Sequence, residues 1–485
     1  MRMEVFVTYA LIALAALFVL FLAVILIRAA LFRPKATTPS EAIPCDFDRD
    51  AAVEALRALV RCRTVSRYDP AEEDDAEFEK LVSLLPTLYP HITAVASLRR
   101  FDGRALLFRW PGKDPAHATV LMSHYDVVPA AEEQWQKPPF EAIVENGVLW
   151  GRGTLDTKAT LNGALFAADT LVKQGFVPEH DVYFAFSGGE EVNGHGAPHI
   201  VDYFRTEGID VGLVLDEGGA VVTNVFPGVT RSVAMIGIAE KGMIDLEYRV
   251  RSTGGHASAP KPHTPIGELA AACTAIEAKP PKMKISKPVK VMFDSIGRHA
   301  SFPIRLLFAN LWCFRPLLGL VARKTGGELN ALVRTTVAFT RMQGSNANNV
   351  LPPVATMVSN IRLNPTDTVN GTIAYLRRII DNDRIELRPL GSHEPSRVSL
   401  AEGDGWDRVK GAVNATWPEA IVTPYLMVQC SDSRHWGVLS DRVYRFSAMD
   451  LTAEERRTIH GHDERIRLES IGKAVEFYLN LIGQC

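Results

Sequence analysis

Cysteine is scarce and unpatterned. Cys45, Cys62, Cys273, Cys313, Cys430 and Cys485 are scattered without a CxxC pair. That spacing excludes a readable disulfide framework or thiolate zinc site; buried or incidental thiols are expected, and the redox compartment stays open. A long basic run is also lacking, and 53 basic residues against 56 acidic leave a net charge of −3. Nothing in that balance attracts nucleic acid. No internal repeat or low-complexity tract interrupts the chain, so solenoid and linker-like architectures drop out.

Charge is missing altogether from residues 5–27. At 1.5 Å per residue this run measures roughly 34 Å as a helix, enough to cross a bilayer core. A cleaved signal peptide has a shorter apolar stretch followed by small residues, whereas Arg28, Arg33 and Lys35 follow here. An uncleaved single-pass anchor over residues 1–36 is therefore expected. Arg2 and the amino terminus on one side face three basic residues on the other, which leans toward a cytoplasmic body without deciding the side. Residues 37–45, with Thr37, Thr38, Pro39 and Ser40, read as a polar linker.

What remains is long and apolar: 485 residues with 47% hydrophobic content allow an anchor plus two domains. From Asp46 onward, helical periodicity gives way to apolar strands alternating with amphipathic helices, the pattern of an α/β domain around a mixed, largely parallel sheet. Strand-like runs at 118–122, 182–186 and 211–215 end at "SHYD", "SGGEE" and "DEGG". Between the first two, Asp156 occupies a turn before a helix that runs to Lys173 and is closed by Gly175. "MIDLEYRVRSTGGHASAP" alternates as a strand, turns on glycine and leads to a helix near Ile266. The chain thus divides into a catalytic part at 46–231, an inserted α+β unit at 232–363, and a return to the catalytic domain at 364–485.

Ligands of open α/β sheets bind at the carboxyl ends of strands, where His124, Asp126, Glu190, Glu191 and Asp216 converge. Two cations about 3.5–4 Å apart need histidines, carboxylates and one carboxylate shared between them. The assignment is His124 and Asp216 on one ion, Asp156 as the bridge, and Glu191 and His460 on the other. Asp126 lies on the same side of an extended segment as His124 and is expected to accept from its free ring nitrogen. Glu190, left unligated, is the candidate base. His460 and His462 compete within "IHGHDE"; His195 and His199 read as loop and helix-surface residues.

In order, "LMSHYDVVPA", "GRGTLDTK", "SGGEEVNGHGA", "VLDEGG", "GGHASAP" and "IHGHDERI" resemble the motifs of the aminoacylase and carboxypeptidase S-like zinc peptidases. The strings "FPIRLLFANLWCF" and "LNALVRTTVAFT" look closest to the branch of carboxypeptidase S and the N-fatty-acyl-amino acid synthase/hydrolases. The resemblance implies two zinc ions (cobalt or manganese suit similar ligands) on the residues assigned above, and its spacing selects His460. It implies that His256 polarises the scissile carbonyl, in some members from a neighbouring subunit, which leaves a homodimer open. Asn349 would hydrogen-bond an amide substrate, and the planar fork of Arg362 would hold its carboxylate. Gly189 stands where the family commonly has aspartate, and Thr157 replaces a frequent acid or amide.

The expected activity is hydrolysis of N-acyl, including N-fatty-acyl, amino acids or of C-terminal peptide bonds. The alternatives are a broad carboxypeptidase or dipeptidase without acyl preference, and an inactive membrane-tethered binding protein. The apolar stretch 302–320 reads either as a buried helix or a helix-helix contact, or as a lipid-facing or acyl-binding element.

Overall fold

The computed structural model describes residues 2–34, 42–43, 46–223, 226 and 228–485. Apart from residues 42 and 43, the linker expected at 37–45 lies outside the described residues, as does Lys35; the backbone N–H of Ile43 donates to Asn480 Oδ1 at 2.8 Å. The apolar N-terminal run forms one helix, Arg2–Leu31.

Eight strands build the large sheet. Its order is Ser97–Phe101, Ala105–Trp110, His180–Ser187, Asp114–His124, Val211–Val222, Val443–Leu451, Val233–Glu240 and Ile421–Met427. The strands ending in the three acidic motifs run parallel to one another, so their carboxyl ends share one edge. Antiparallel pairs close the other side of this parallel centre, giving the mixed sheet expected. The helix Lys158–Lys173 turns Leu161, Leu165 and Leu171 inward, each burial worth roughly 1.5–3 kcal/mol. It packs so closely on the C-terminal helix Leu468–Ile482 that a Cβ at Gly163 would lie 3.2 Å from Ala474 and Tyr478 side chains.

A second sheet, antiparallel throughout, has the order Thr336–Gln343, Val354–Leu363, Gly242–Arg251, Ile385–His393. Gly242–Arg251 buries every other residue, and Ile244, Leu246, Tyr248 and Val250 meet the helices Pro265–Ala278 and Val369–Ile380. Strand pairing moves both edges of the insert drawn at 232–363. Val233–Glu240 is buried on both faces and belongs to the large sheet, as a doubly covered strand should be, while Ile385–His393 joins the small one. The chain passes between the sheets at Lys241.

The helical stretch inside the insert also departs from expectation. Val289, Met292, Phe293 and Ile296 of the helix Lys287–Gly297 join the core of the large sheet. Phe302–Ala309 and Leu311–Thr325 then meet at 111°. Only Ala309, Leu318 and Ala322 of these two helices are buried, so 302–320 is not a fully buried helix, but it does make helix-helix contacts, Phe308 against Phe293 and Trp312 against Phe21. The five described cysteines that can be compared, Cys62, Cys273, Cys313, Cys430 and Cys485, are all unpaired.

Candidate metal centre

His124 is the last residue of its strand and is buried. Its Nδ1 donates to the backbone carbonyl of Asp126 at 2.9 Å, with the Asp126 carboxylate 3.4 Å away. The carboxylate expected as its acceptor has other work: its two oxygens accept from the backbone N–H groups of Glu190 at 3.1 Å and Glu191 at 3.2 Å. Asp126 thereby holds the turn that carries the acidic doublet, and the backbone carbonyl orients the imidazole.

Asp156 lies between two histidines. Its Oδ1 is 2.9 Å from His124 Nε2, and its Oδ2 is 3.0 Å from His460 Nε2. His460 also stands 3.0 Å from Glu191 Oε2. One carboxylate with each oxygen turned to a different imidazole is the arrangement a shared ligand requires.

Asp216, expected on the first ion, is buried beside the cluster. Its oxygens accept from the backbone N–H groups of Glu217 and Ser433, each at 2.9 Å, so it braces the backbone. Glu217 instead points at the cluster, with Oε1 3.4 Å from His124 Nε2. The strand continues past Glu217 because Gly219 has no side chain: a Cβ there would lie 1.7 Å from the Met235 carbonyl oxygen.

The ligand atoms of His124, Asp156 and Glu191 lie within 4.8 Å of one another, as do those of His124, Glu190 and Glu217. Burial pushes the Glu190 carboxyl well above its usual range; His124 opposes this, and Asp432, Glu217 and Glu191 add to it. Burial likewise raises Glu217 to about 8. His460 goes up to about 10 through its bonds to Asp156 and Glu191. So many buried acids converging on two imidazoles resist ionising together unless cations join them. The donor types suit a pair of borderline divalent ions.

Three residues that the sequence reading passed over hold this cluster in place. Glu464 is fully buried, accepts from the N–H groups of Leu155 at 2.7 Å and Asp156 at 3.2 Å, and pairs with Arg152 at 2.8 Å. Arg152 also donates to the Gly461 carbonyl. The turn bearing Asp156 and the loop bearing His460 are therefore tied together, which explains why "GRG" and "HDE" both stand near ligands. Asp432, buried, accepts from Ser187 at 2.6 Å beneath the doublet. His462 is exposed.

The other proposed residues are not gathered here. His256 is exposed on a two-stranded ribbon, Gly255–His256 with Val350–Leu351, and its Nδ1 meets Ser258 at 2.8 Å. Asn349 is exposed beside it, its carbonyl accepting from Ala257. Arg362 donates to Asn360 at 3.0 Å and contacts Cys430 Sγ at 3.1 Å. Cys430 faces a cavity of about 720 Å³ that also holds Asp156, Glu190, Glu191, Glu217 and His460. Away from these acids its wall is mainly apolar, with Val222, Met235, Met427, Met449, Leu451 and Ile459, and also carries Glu328, Arg456 and Arg457.

A model of peptidase family M20/M25/M40 matches residues 120–484. The probable carboxypeptidase S-like 2 of Dictyostelium discoideum is 34% identical over 441 residues, covering 89% of this chain and 85% of its own length. The N-fatty-acyl-amino acid synthase/hydrolase PM20D1 of Xenopus tropicalis is 34% identical over 441 residues, covering 90% and 86%. Among solved structures, the M20 family metallo-carboxypeptidase Sso-CP2 from Sulfolobus solfataricus shares the fold, with a TM-score of 0.65 at 18% identity over 89% of this chain and 98% of that one. With the family model spanning most of the chain and relatives at this identity along nearly all of it, the chain belongs to peptidase family M20/M25/M40 and is a metallopeptidase or amidohydrolase of that family.

Proposed function

We propose that this enzyme hydrolyses the amide bond of N-acyl amino acids with long apolar acyl groups, using two zinc ions. The observation that carries the acyl preference is the cavity, whose lining beyond the acids is mainly apolar, with the Glu328–Arg456 pair and Arg457 as its other charged groups. Its volume falls within the roughly 300–1,000 Å³ of small-molecule sites. His124, Asp156 and Glu217 would hold one ion, and Asp156, Glu191 and His460 the other. When bound, such a pair supplies Lewis acidity and makes water acidic enough to lose a proton near neutral pH.

Glu190 takes no ligand role in this scheme. Its carboxylate accepts the proton of the attacking water and returns it to the departing amine nitrogen. Asp126 keeps Glu190 in reach through the backbone of the turn. His256 would donate to the developing oxyanion. Because His256 and Asn349 sit together on an exposed ribbon, we assign both to the site of a second copy in a homodimer, with the small-sheet unit serving as lid and dimerisation domain. Arg362, behind Cys430, would pair with the substrate carboxylate. The exposed apolar helix Arg2–Leu31 supports a single-pass membrane anchor.

The test is metal content together with hydrolysis of matched N-oleoyl and N-acetyl amino acids and dipeptides. About two zinc ions per chain, strongest cleavage of the N-oleoyl substrate, and loss of turnover with zinc retained in Glu190→Gln are expected. Preference for dipeptides would move the reading to a carboxypeptidase or dipeptidase; a metal-free protein would overturn it.

A further inference from the structure

The corner formed by Phe302–Ala309 and Leu311–Thr325 is fastened to the N-terminal helix. Asn310, at the elbow, is fully buried and donates from Nδ2 to the Ile25 carbonyl at 2.9 Å. Arg28 donates to the Ala309 carbonyl at 3.0 Å and to Asn310 Oδ1 at 3.1 Å. Ile25 and Ala29, one turn apart on a single face, are the buried apolar residues of that helix. Farther along, the rings of Phe21 and Trp312 meet edge to face with centroids 6.0 Å apart.

These contacts set a depth. A helix rises 1.5 Å per residue, so Phe21 lies roughly 10 Å along the axis from Arg28. Arg28 ends the uncharged run, and a bilayer matched to that run has its boundary there. Trp312, touching Phe21, then lies well inside that boundary. A body docked in this way does not hang clear of the membrane on a tether.

The corner has the composition such a position demands. Trp312 is 60% exposed, and Leu317, Leu320 and Val321 are exposed at a spacing of three and four that puts them on one face. Arg315, Arg323 and Lys324 flank them and are long enough to carry their charges to headgroups. The polar elbow meets no lipid unpaired, because Asn310 and the Ala309 carbonyl are bonded to the N-terminal helix, as a low-dielectric setting requires.

We infer that Trp312, Leu317, Leu320 and Val321 form a lipid-embedded surface in the same leaflet as the Arg28 end of the anchor, so that the enzyme is seated on the bilayer. The inference rests on the reading of Arg2–Leu31 as a membrane span. It has a consequence for substrate: Leu311–Thr325 leads through Gly326 into Gly327–Val333, whose Gly327, Glu328 and Ala331 line the cavity. One wall of the cavity therefore begins at the lipid surface, where acylated substrates concentrate.

The full chain reconstituted in phosphatidylcholine vesicles containing anionic lipid tests this, with photoreactive p-benzoylphenylalanine in place of Leu320, Leu14 or Tyr68. Each protein is first shown to retain hydrolytic activity. Lipid adducts are expected at positions 14 and 320 and not at Tyr68, which is 87% exposed. Adducts at 14 without any at 320 would overturn the seated surface and leave the anchor standing. A 320 adduct to a second copy of the chain would overturn it in favour of a protein contact. Absence of lipid adducts at 14 would remove the anchor reading, and this inference with it.

Discussion

The two halves of the proposed site are built differently. The acids and imidazoles at the edge of the large sheet are interlocked by partners from the same chain, from Asp126 under the Glu190 turn to Glu464 under Asp156. The ribbon with His256 and Asn349 is exposed, with His256 bonded to Ser258 and the Asn349 carbonyl accepting from Ala257. Preorganisation by one fold suffices for a metal pair; under the proposed scheme, the carbonyl-polarising His256 must be brought in. Such division allows a site to be rigid where ions are held and movable where substrate enters.

The strongest way to break the comparison is to remove the residue on which the interlocked half depends. Asp156→Ala is expected to abolish hydrolysis and lower zinc content at both positions, measured by turnover and elemental analysis of the purified protein. Retention of both ions would dissolve the proposed bridge. His256→Ala should retain both ions while turnover falls by about 10²–10³-fold, the usual worth of an oxyanion donor. Mixing His256→Ala with Glu190→Gln subunits should restore part of the activity, since a mixed dimer contains one site with both residues intact. No recovery after proven subunit exchange would place His256 in the same chain's site or outside catalysis.

A finer comparison separates the adjacent acids. Glu217→Ala should lose one ion and most activity, while Asp216→Ala, which only loosens the backbone below, should weaken metal affinity by about 10–100-fold. The reverse ranking by metal titration would return the ligand role to Asp216.

The smallest expected effect concerns Lys241, where the chain crosses between the two sheets. Its ammonium is buried and donates to the carbonyls of Ala331 and Arg334, both at 2.8 Å. Burial, with Arg362 nearby, pulls its pKa down to about 7. The unfolded lysine holds its proton up to about 10.4, so between these values the unfolded state binds more protons and stability rises with pH. The slope is at most about 1.4 kcal/mol per pH unit. Denaturant unfolding from pH 7 to 10 should show this rise over Lys241→Met; parallel curves would mean that Lys241 titrates normally.

Local chemistry made much of this site legible. Strands ending in "SHYD" and "SGGEE" announce a shared carboxyl edge, and Asp156 follows from its turn before a helix. Asp216 and Glu217 are hard to tell apart from sequence because adjacent strand residues differ only in facing, and facing is set by what lies on either side. Alternation from Leu213 and Leu215, whose side chains lie in the main core, sets Glu217 on their side of the strand. Glu464 escaped notice because its partner Leu155 is distant in sequence. The insert's edge was missed because Val233–Glu240 and Gly242–Arg251 are two strands separated by a single residue, and only the sheet each joins tells them apart.

By itself, then, the sequence determined the kinds of ligands, the parallel centre of the sheet, the alternating insert and the uncharged N-terminal run, because periodicity and residue chemistry act over a few neighbours. Tertiary structure alone decided which acid of a pair turns inward, which strands share a sheet, and that the N-terminal helix rests on the Asn310 elbow. Those outcomes depend on contacts between segments hundreds of residues apart, where packing and the pairing of buried polar groups, rather than local preference, choose the arrangement.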